Sequence, residues 1–187
     1  MAGKLFIFSA PSGSGKTTIV KHLMDKYDHL GFSVSATTRP MREGKETDGK
    51  DYYFLTKEDF EAKLEKEGFV EWEEVYHGYY YGTLKAEIER LWAEGKDVVF
   101  DVDVIGGINL KNYYKEKALA IFVKAPSFEV IIDRLRNRGT ESKESLETRI
   151  GKVKDELTYE KYFDVTLIND KLDDAKSQAE KLITEFK

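Results

Sequence analysis

Short apolar runs recur along the chain, and longer stretches with helical spacing separate most of them. Five runs have the length of strands and predict them at 5–8, 32–35, 98–100, 119–123 and 165–168. Helical patterns lie near 16–25, 83–94, 127–136, 144–161 and 172–185. Strands that alternate with helices predict a parallel sheet with helices on both faces. The ligand of such a sheet binds at the carboxyl ends of its strands.

One segment, 37–81, interrupts this alternation because it is polar and rich in aromatic residues. Its pattern predicts extended segments at 51–55, 69–72 and 75–81, and a short helix near 58–67. We therefore expect a small mixed lobe with hairpin-type strands, inserted into the α/β core. Such a lobe would face the ligand edge of the main sheet, where it could hold a second substrate. A decorative insertion with a packed aromatic surface is the alternative, and the lobe alone does not decide between them.

The first apolar run leads into a glycine-rich loop that ends where a helix begins. This loop and the start of the helix comprise Ala10, Pro11, Ser12, Gly13, Ser14, Gly15, Lys16, Thr17 and Thr18. Glycines let successive backbone N–H groups converge on phosphate oxygens at the positive end of the helix. Lys16 would contact the β- and γ-phosphates, and the Thr17 hydroxyl would reach Mg²⁺. Ala10 stands where the motif usually begins with glycine, which a backbone without positive φ allows. The loop predicts a nucleoside triphosphate site rather than an ordinary turn.

The composition of the chain limits its possible domain organisation, partners and location. The 187 residues suffice for one well-buried core and suggest one domain with small inserted lobes. Thirty Lys and Arg against 35 Asp and Glu leave a net charge of −5, which argues against nucleic acid or an anionic membrane as a partner. The apolar runs are far shorter than the roughly 20 residues that span a bilayer. The chain has no cysteine, which fits a reducing, cytoplasmic location.

Two groups of arginines follow predicted core elements. Arg39 and Arg42 lie in a proline-containing loop after the second strand, where two guanidiniums could grip one phosphate. Arg134 and Arg138 flank the end of a helix that runs into a Gly/Thr/Ser loop, and Arg149 follows further on. This second arrangement is typical of a mobile lid whose arginines neutralise a transferring phosphoryl group. Solvated loop arginines and a basic helix end are the structural alternatives.

Two carboxylates, Asp101 and Asp103, follow the third predicted strand. A carboxylate at the carboxyl end of a central strand, near a phosphate loop, commonly serves Mg²⁺ directly or through water. The segment 103–106 also matches the Asp-x-x-Gly motif of switch GTPases. That interpretation fails because the sequence contains no Asn-Lys-x-Asp guanine motif, and Asn-Asp-Lys at 169–171 has the wrong order.

Taken together, six motifs in a fixed order resemble those of the guanylate kinase family. They are Ser-Ala-Pro-Ser-Gly-Ser-Gly-Lys-Thr at 9–17, Ser-Val-Ser-Ala-Thr-Thr-Arg at 33–39, Gly-Lys-Asp-Tyr at 49–52, Tyr-Tyr-Gly-Thr at 80–83, Asp-Val-Asp at 101–103 and Arg-Gly-Thr-Glu at 138–141. The resemblance implies a three-layer α/β P-loop kinase core with a parallel sheet, plus an inserted nucleoside-monophosphate lobe and a lid. It implies one domain, with its core at 1–35, 84–136 and 147–187, its GMP-binding lobe at 36–83 and its lid at 137–146.

The activity implied by this resemblance is the phosphorylation of GMP to GDP by ATP, with Mg²⁺ entering as part of the nucleotide complex. By residue, it implies that Ser35, Arg39, Arg42, Tyr52 and Tyr81 hold the GMP phosphate, and that Glu71, Thr83 and Asp103 read guanine. Arg134, Arg138 and Arg149 match the arginines around the transferring group, and Asn169 falls where the family contacts the adenine end of ATP. Met41 before Arg42 and Thr83 in place of a serine are the departures.

Base chemistry supports this resemblance independently. Guanine presents N1–H and its N2 amino group as adjacent donors, so a buried carboxylate such as Glu71 can accept both, whereas adenine offers a bare acceptor at N1. A site built around such donors rejects a base that lacks them. The nearer alternative is a kinase for AMP, UMP or dTMP. The more distant one is a guanylate-kinase-like scaffold module that binds peptides, against which the intact Gly15, Lys16 and Thr17 and the full arginine set argue.

Overall fold

The computed structural model describes residues 3–137 and 143–186, which form nine strands and seven α-helices. The strands are β1 (Leu5–Ser9), β2 (Leu30–Phe32), β3 (Ala36–Thr37), β4 (Tyr53–Phe54), β5 (Phe69–Tyr76), β6 (Tyr79–Leu84), β7 (Asp97–Val102), β8 (Ala118–Lys124) and β9 (Val165–Ile168). The helices are α1 (Lys16–Lys26), α2 (Lys57–Glu65), α3 (Lys85–Ala93), α4 (Val104–Tyr114), α5 (Phe128–Asn137), α6 (Lys143–Leu157) and α7 (Leu172–Glu185). No helix of these ranges is long and apolar enough to cross a membrane.

The main sheet has five parallel strands in the order β2-β7-β1-β8-β9. Its central strand, β1, is fully buried, because successive side chains point to opposite faces and both faces are covered. Phe6 and Phe8 pack against α1 and α7, while Leu5 and Ile7 pack with residues of α3 and α4. Each such side chain contributes about 1.5–3 kcal/mol when it is fully buried. The predicted parallel sheet with helices on both faces is therefore confirmed.

A second sheet, in the order β4-β3-β6-β5, lies within the segment that interrupts the alternation. β5 and β6 form an antiparallel hairpin, as the pattern predicts. Phe60 of α2 stacks on Phe69 of β5 with ring centroids 4.4 Å apart, and it gives this sheet its own small apolar cluster. The sheet and α2 therefore form a unit that is built around the hairpin.

The two sheets are tied together by Glu87 of α3, whose side chain is almost completely buried. Its carboxylate accepts hydrogen bonds from the backbone N–H of Val34 at 3.3 Å and from the hydroxyl of Tyr53 at 2.9 Å. Arg90 donates to the same carboxylate at 2.9 Å. Val34 lies in the connection between β2 and β3, and Tyr53 begins β4, so one side chain of α3 holds both this connection and the second sheet.

Three predicted boundaries were wrong. The strand expected at 32–35 is observed at Leu30–Phe32, because Val34 N–H turns to Glu87 and the carbonyl of Ser35 accepts from Tyr53 of the second sheet. The helix expected at 144–161 ends as α6 at Leu157 and continues as a 3-10 turn at Thr158–Tyr162. The extended segment at 51–55 forms a strand only at Tyr53–Phe54. Residues 138–142 of the predicted lid lie outside the described residues, so the lid remains a prediction.

Helix α4 has no counterpart among the predicted helices. Gly106 and Gly107 weaken its helical pattern, since glycine is among the least favourable residues in a helix interior. Close packing explains why position 107 is a glycine, because a Cβ there would lie 2.2 Å from Ser9 Oγ and 3.2 Å from the ring of Phe163. The helix begins where Asp103 accepts a hydrogen bond from Gly106 N–H at 2.8 Å. The glycine thus allows α4 to pack directly on the end of β1.

We predict that Gly107→Ala lowers the free energy of unfolding by about 1–3 kcal/mol, because the new methyl group forces α4 away from β1. Gly151→Ala in α6 is the matched control, since a Cβ there meets nothing within 4 Å. It should raise the stability by about 0.5–1 kcal/mol through helix propensity. Urea denaturation followed by circular dichroism measures both variants. Equal effects of the two substitutions would contradict the close packing of α4.

Candidate active site

A cavity of about 450 Å³ lies between the carboxyl edge of the main sheet and the second sheet. It brings together residues from the phosphate loop, the second sheet, the end of β7 and α6. The predicted site residues that line it are Ser12, Gly13, Ser14, Gly15, Lys16, Thr17, Thr18, Ser35, Arg39, Arg42, Tyr52, Glu71, Tyr81, Asp101, Asp103 and Arg149. Thr83 stands behind Glu71, Arg134 and Asn169 line a second cavity, and Arg138 lies outside the described residues.

The loop between β1 and α1 has the conformation of a phosphate-binding loop. Gly15 precedes α1 with φ +88° and has no side chain that could cap the helix, so the first N–H groups of α1 are left for an anion. A Cβ on Gly15 would also collide with the amide nitrogen of Asn169 at 2.3 Å. That amide donates to the carbonyl of Ser14 at 2.8 Å and fixes the loop. The backbone φ of Ala10 is not positive, which explains why a Cβ is allowed there.

Asp101 at the end of β7 accepts from both functional side chains of the loop. Lys16 Nζ lies 2.8 Å from its Oδ1, and Thr17 Oγ1 donates to its Oδ2 at 2.8 Å. Lys16 also donates to the carbonyl of Val102. A hydroxyl and a carboxylate are oxygen ligands of the kind that Mg²⁺ prefers. Within the described ranges, no three His, Cys, Asp or Glu side chains are grouped to hold a metal, so Mg²⁺ would need phosphate and water ligands as well.

One end of the cavity carries carboxylates in a largely dry environment. Thr83 Oγ1 donates to Glu71 Oε1 at 2.5 Å, and Glu71 is only 9% exposed. Burial raises the pKa of Glu71 to about 7, the hydrogen bond from Thr83 opposes this rise, and the Asp103 carboxylate adds to it. An ionised Glu71 therefore needs additional hydrogen-bond donors, which a ligand can supply.

Sequence reasoning missed several residues that line the same cavity: Glu46, Glu73, Lys152 and Glu156. Glu73 follows Glu71 by two positions on β5 and therefore shares its face of the strand. Burial, followed by the charge of Asp103, raises the pKa of Glu73 to about 7. The two-residue period could have identified Glu73, whereas the side chains of α6 reach the cavity through tertiary packing that carries no local signal.

The same cavity is lined by the two loop arginines beside a pair of tyrosines. The rings of Tyr52 and Tyr81 are 5.9 Å apart, and burial raises the pKa of the Tyr52 hydroxyl. Arg39 forms an ion pair with Glu46 at 2.8 Å, whereas the side chain of Arg42 is 68% exposed. The structure thus brings the residues predicted to bind phosphate and the carboxylates of Glu71, Glu73 and Asp103 to the lining of one cavity.

Arg134 and Asn169 occupy a separate cavity next to the phosphate loop. Arg134 Nη2 donates to the carbonyl of Asn169 at 3.0 Å. Gly13, Gly15 and Thr18 line both cavities, so the loop forms the wall between them. Of the arginines predicted around the transferring group, Arg149 lines the main cavity and Arg134 lines the adjoining one.

Comparisons with known proteins find a matching family model, similar proteins and a similar solved structure. A family model described as guanylate kinase matches residues 2–186. The guanylate kinase of Bacteroides thetaiotaomicron is 50% identical over 186 residues, which cover 100% of this chain and 91% of that protein. The enzyme of Porphyromonas gingivalis is 47% identical, with 98% and 97% covered. The crystal structure of guanylate kinase from Anaplasma phagocytophilum has the same fold, with a TM-score of 0.74 at 24% identity and coverages of 98% and 85%.

The raised pKa of Glu71 predicts a pH-dependent stability. Between 4.5 and about 7 the folded state retains the proton of Glu71 while the unfolded state loses it, so stability falls as the pH rises through this window. Glu71→Gln keeps an acceptor for Thr83 and should be more stable than the parent at pH 8 by roughly 1–3 kcal/mol. At pH 4 the difference should be small. Denaturation at both pH values measures it, and Glu74→Gln on the same strand is the control. A pH-independent difference would contradict the assignment.

Proposed function

The chain belongs to the guanylate kinase family, and we propose that its main cavity transfers the γ-phosphoryl group of ATP to GMP. One observation carries this proposal: a single cavity is lined both by the phosphate loop and by the buried carboxylate of Glu71. The first feature suits a nucleoside triphosphate and the second suits a base that presents two adjacent donors. We also propose the cytoplasm as its compartment, because a chain without cysteine is suited to a reducing environment.

At the ATP end, Lys16 supplies a positive charge for the β- and γ-phosphates, and the N–H groups that begin α1 bind phosphate oxygens. Thr17 and Asp101 would hold the Mg²⁺ that accompanies ATP. Bound Mg²⁺ neutralises the charge that develops on the phosphates. The Asn169 side chain supports the loop from behind through Ser14, and its cavity with Arg134 is the proposed place for the adenine end of ATP.

At the GMP end, guanine would donate from N1–H and from its amino group to Glu71. Thr83 already donates to one carboxylate oxygen and holds it in position. Asp103 lies beside Glu71 and contributes a further acceptor. The GMP phosphate would bind between Arg39, Arg42, Tyr52, Tyr81 and Ser35, which line the cavity together. Charge-assisted hydrogen bonds of this kind are roughly twice as strong as neutral ones.

The reaction requires no nucleophilic side chain. An oxygen of the GMP phosphate attacks the γ-phosphorus of ATP, the bond from that phosphorus to the bridging oxygen breaks, and ADP leaves with the electron pair. The protein supplies in-line positioning and positive charge around the transferring group. We assign this charge to Lys16 and Arg149 in the main cavity, with Arg39, Arg134 and Arg138 as further proposed contributors.

The proposal predicts that the purified chain releases ADP with GMP far faster than with AMP, UMP or dTMP in a coupled assay. Lys16→Ala should keep the circular dichroism spectrum and lose at least about 10²–10³-fold in kcat, the scale for removal of a key electrostatic group. Lys21→Ala is the matched control, because Lys21 lies exposed on the same helix. Near-normal turnover by a folded Lys16→Ala variant would exclude the assigned loop, and a parent without GMP turnover would favour a binding module.

Base recognition is tested by Glu71→Gln. The substitution keeps one acceptor and turns the second contact with guanine into a donor that faces a donor. The cost in kcat/KM for GMP should be about 2–4 kcal/mol. AMP offers an acceptor at N1, so it should lose far less, and the preference for GMP should fall about a hundredfold. Steady-state kinetics with both monophosphates provide the measurement. Equal losses for GMP and AMP would assign Glu71 to the fold rather than to the base.

A further inference from the structure

The guanidinium of Arg39 is already engaged by a carboxylate from its own loop. Glu46 Oε2 accepts from Nη1 at 3.0 Å and Glu46 Oε1 accepts from Nη2 at 2.8 Å, which makes a bidentate pair on the outer edge of the guanidinium. The carbonyl of Pro40 accepts a second hydrogen from Nη1 at 2.7 Å. Three of the five N–H donors of Arg39 are therefore directed into the protein.

Glu46 is itself held firmly. Its Oε2 accepts from the backbone N–H of Arg42 at 2.8 Å, and its own N–H donates to the carbonyl of Arg42 at 3.2 Å. The side chains of Arg39 and Glu46 are only 15% and 12% exposed. The rings of Tyr52 and Phe54 lie 5.5 and 5.6 Å from the guanidinium carbon and restrict it further. The carboxylate thus connects both arginines of the loop.

The two remaining donors of Arg39 are Nε–H and the second hydrogen of Nη2. These two hydrogens lie parallel on the other edge of the planar guanidinium, where they match two oxygens of one phosphate. The Tyr81 hydroxyl also interacts with this guanidinium and, after Glu46, helps to raise the pKa of Arg39. Arg39 and Tyr81 line the same cavity, so a phosphate that binds at the Nε–Nη2 edge would share the guanidinium with the Tyr81 hydroxyl.

We propose that Glu46 is a positioning residue for the phosphate of GMP. It occupies the outer edge of Arg39 and orients the guanidinium so that the Nε–Nη2 edge receives the phosphate. It also fixes the backbone of Arg42, whose exposed side chain then closes on the same phosphate. This role rests on the proposed function, since it assumes that GMP is the phosphate-bearing substrate of this cavity.

The direction in which one substitution changes GMP binding distinguishes a positioning role of Glu46 from a purely electrostatic one. Glu46 places a negative charge close to the site of an anionic phosphate, so by Coulomb's law alone its removal should strengthen GMP binding. If Glu46 acts by orienting Arg39, its removal should weaken GMP binding, because the guanidinium then adopts several orientations and the fork is lost. Glu46→Gln keeps the size of the side chain and one acceptor, which makes it the most informative change.

The experiment compares the parent, Glu46→Gln and Glu43→Gln. Glu43 is exposed in the same loop, so the control removes the same charge without touching Arg39. Glu46→Gln should raise KM for GMP and the Kd for GMP, measured by calorimetry without ATP, by about 10- to 100-fold. KM for ATP should stay at the parent value and kcat should change much less than KM for GMP. Glu43→Gln should match the parent in each quantity.

Two further variants connect the effect to Arg39. Glu46→Asp keeps the charge but is too short to bridge both nitrogens, so it should also weaken GMP binding. In an Arg39→Ala background, Glu46→Gln should have little further effect on the Kd for GMP, since no guanidinium remains to be oriented. Thermal melting of every variant separates loss of the fold from loss of the site, and Glu46→Asp provides the test if Glu46→Gln does not fold.

Several outcomes would overturn the role of Glu46. These are unchanged or tighter GMP binding by folded Glu46→Gln, the same change in Glu43→Gln, and an equal rise of KM for ATP. A full effect of Glu46→Gln in the Arg39→Ala background would also exclude it. A parent that does not phosphorylate GMP would overturn the proposed function and this role together, whereas a parent that does so isolates the test of Glu46.

Discussion

The parallel pairing of β1 with β7 sets Phe8 opposite Asp101 and brings the ends of both strands to one edge. The phosphate loop leaves β1 one residue later, so its Lys16 and Thr17 reach the carboxylate of Asp101. Neither side chain would find this partner if the strands were antiparallel, since the two carboxyl ends would then lie at opposite edges. The apolar residues of β1 maintain this register because they are buried on both faces.

Charge is distributed unevenly within the cavity. Glu71, Glu73 and Asp103 gather in one part, and burial makes the first two difficult to ionise. Lys16 and Arg39 line the same cavity, where each forms an ion pair, with Asp101 and with Glu46 respectively. A nucleoside monophosphate has the complementary distribution, because its phosphate is an anion and guanine offers two hydrogen-bond donors. The net charge of −5 for the whole chain gives no indication that cations and buried carboxylates line one cavity.

The parts of the fold that could be predicted from the sequence are those that a short local pattern of residues determines. The phosphate loop and β1 follow from a glycine pattern and an apolar run, and the hairpin follows from its aromatic strands. Helix α4 could not be predicted, because Gly107 is explained by its approach to Ser9, a residue almost a hundred positions away. Glu46 was missed for a similar reason, because its proposed role depends on a turn of the loop that brings its carboxylate to Arg39. The grouping of Arg134 with Arg149 around one phosphoryl group stays a prediction, since the two line adjoining cavities.

Glu87 of α3 limits how far the second sheet can rotate relative to the core. Its buried carboxylate holds Val34, next to one connection between the sheets, and Tyr53 within the second sheet. A large rotation of the second sheet away from α3 must break the hydrogen bond from Tyr53, which leaves Glu87 with Arg90 and Val34 as its donors. Tyr53 therefore opposes rotation of the second sheet relative to α3, because the buried carboxylate of Glu87 would lose one of its donors.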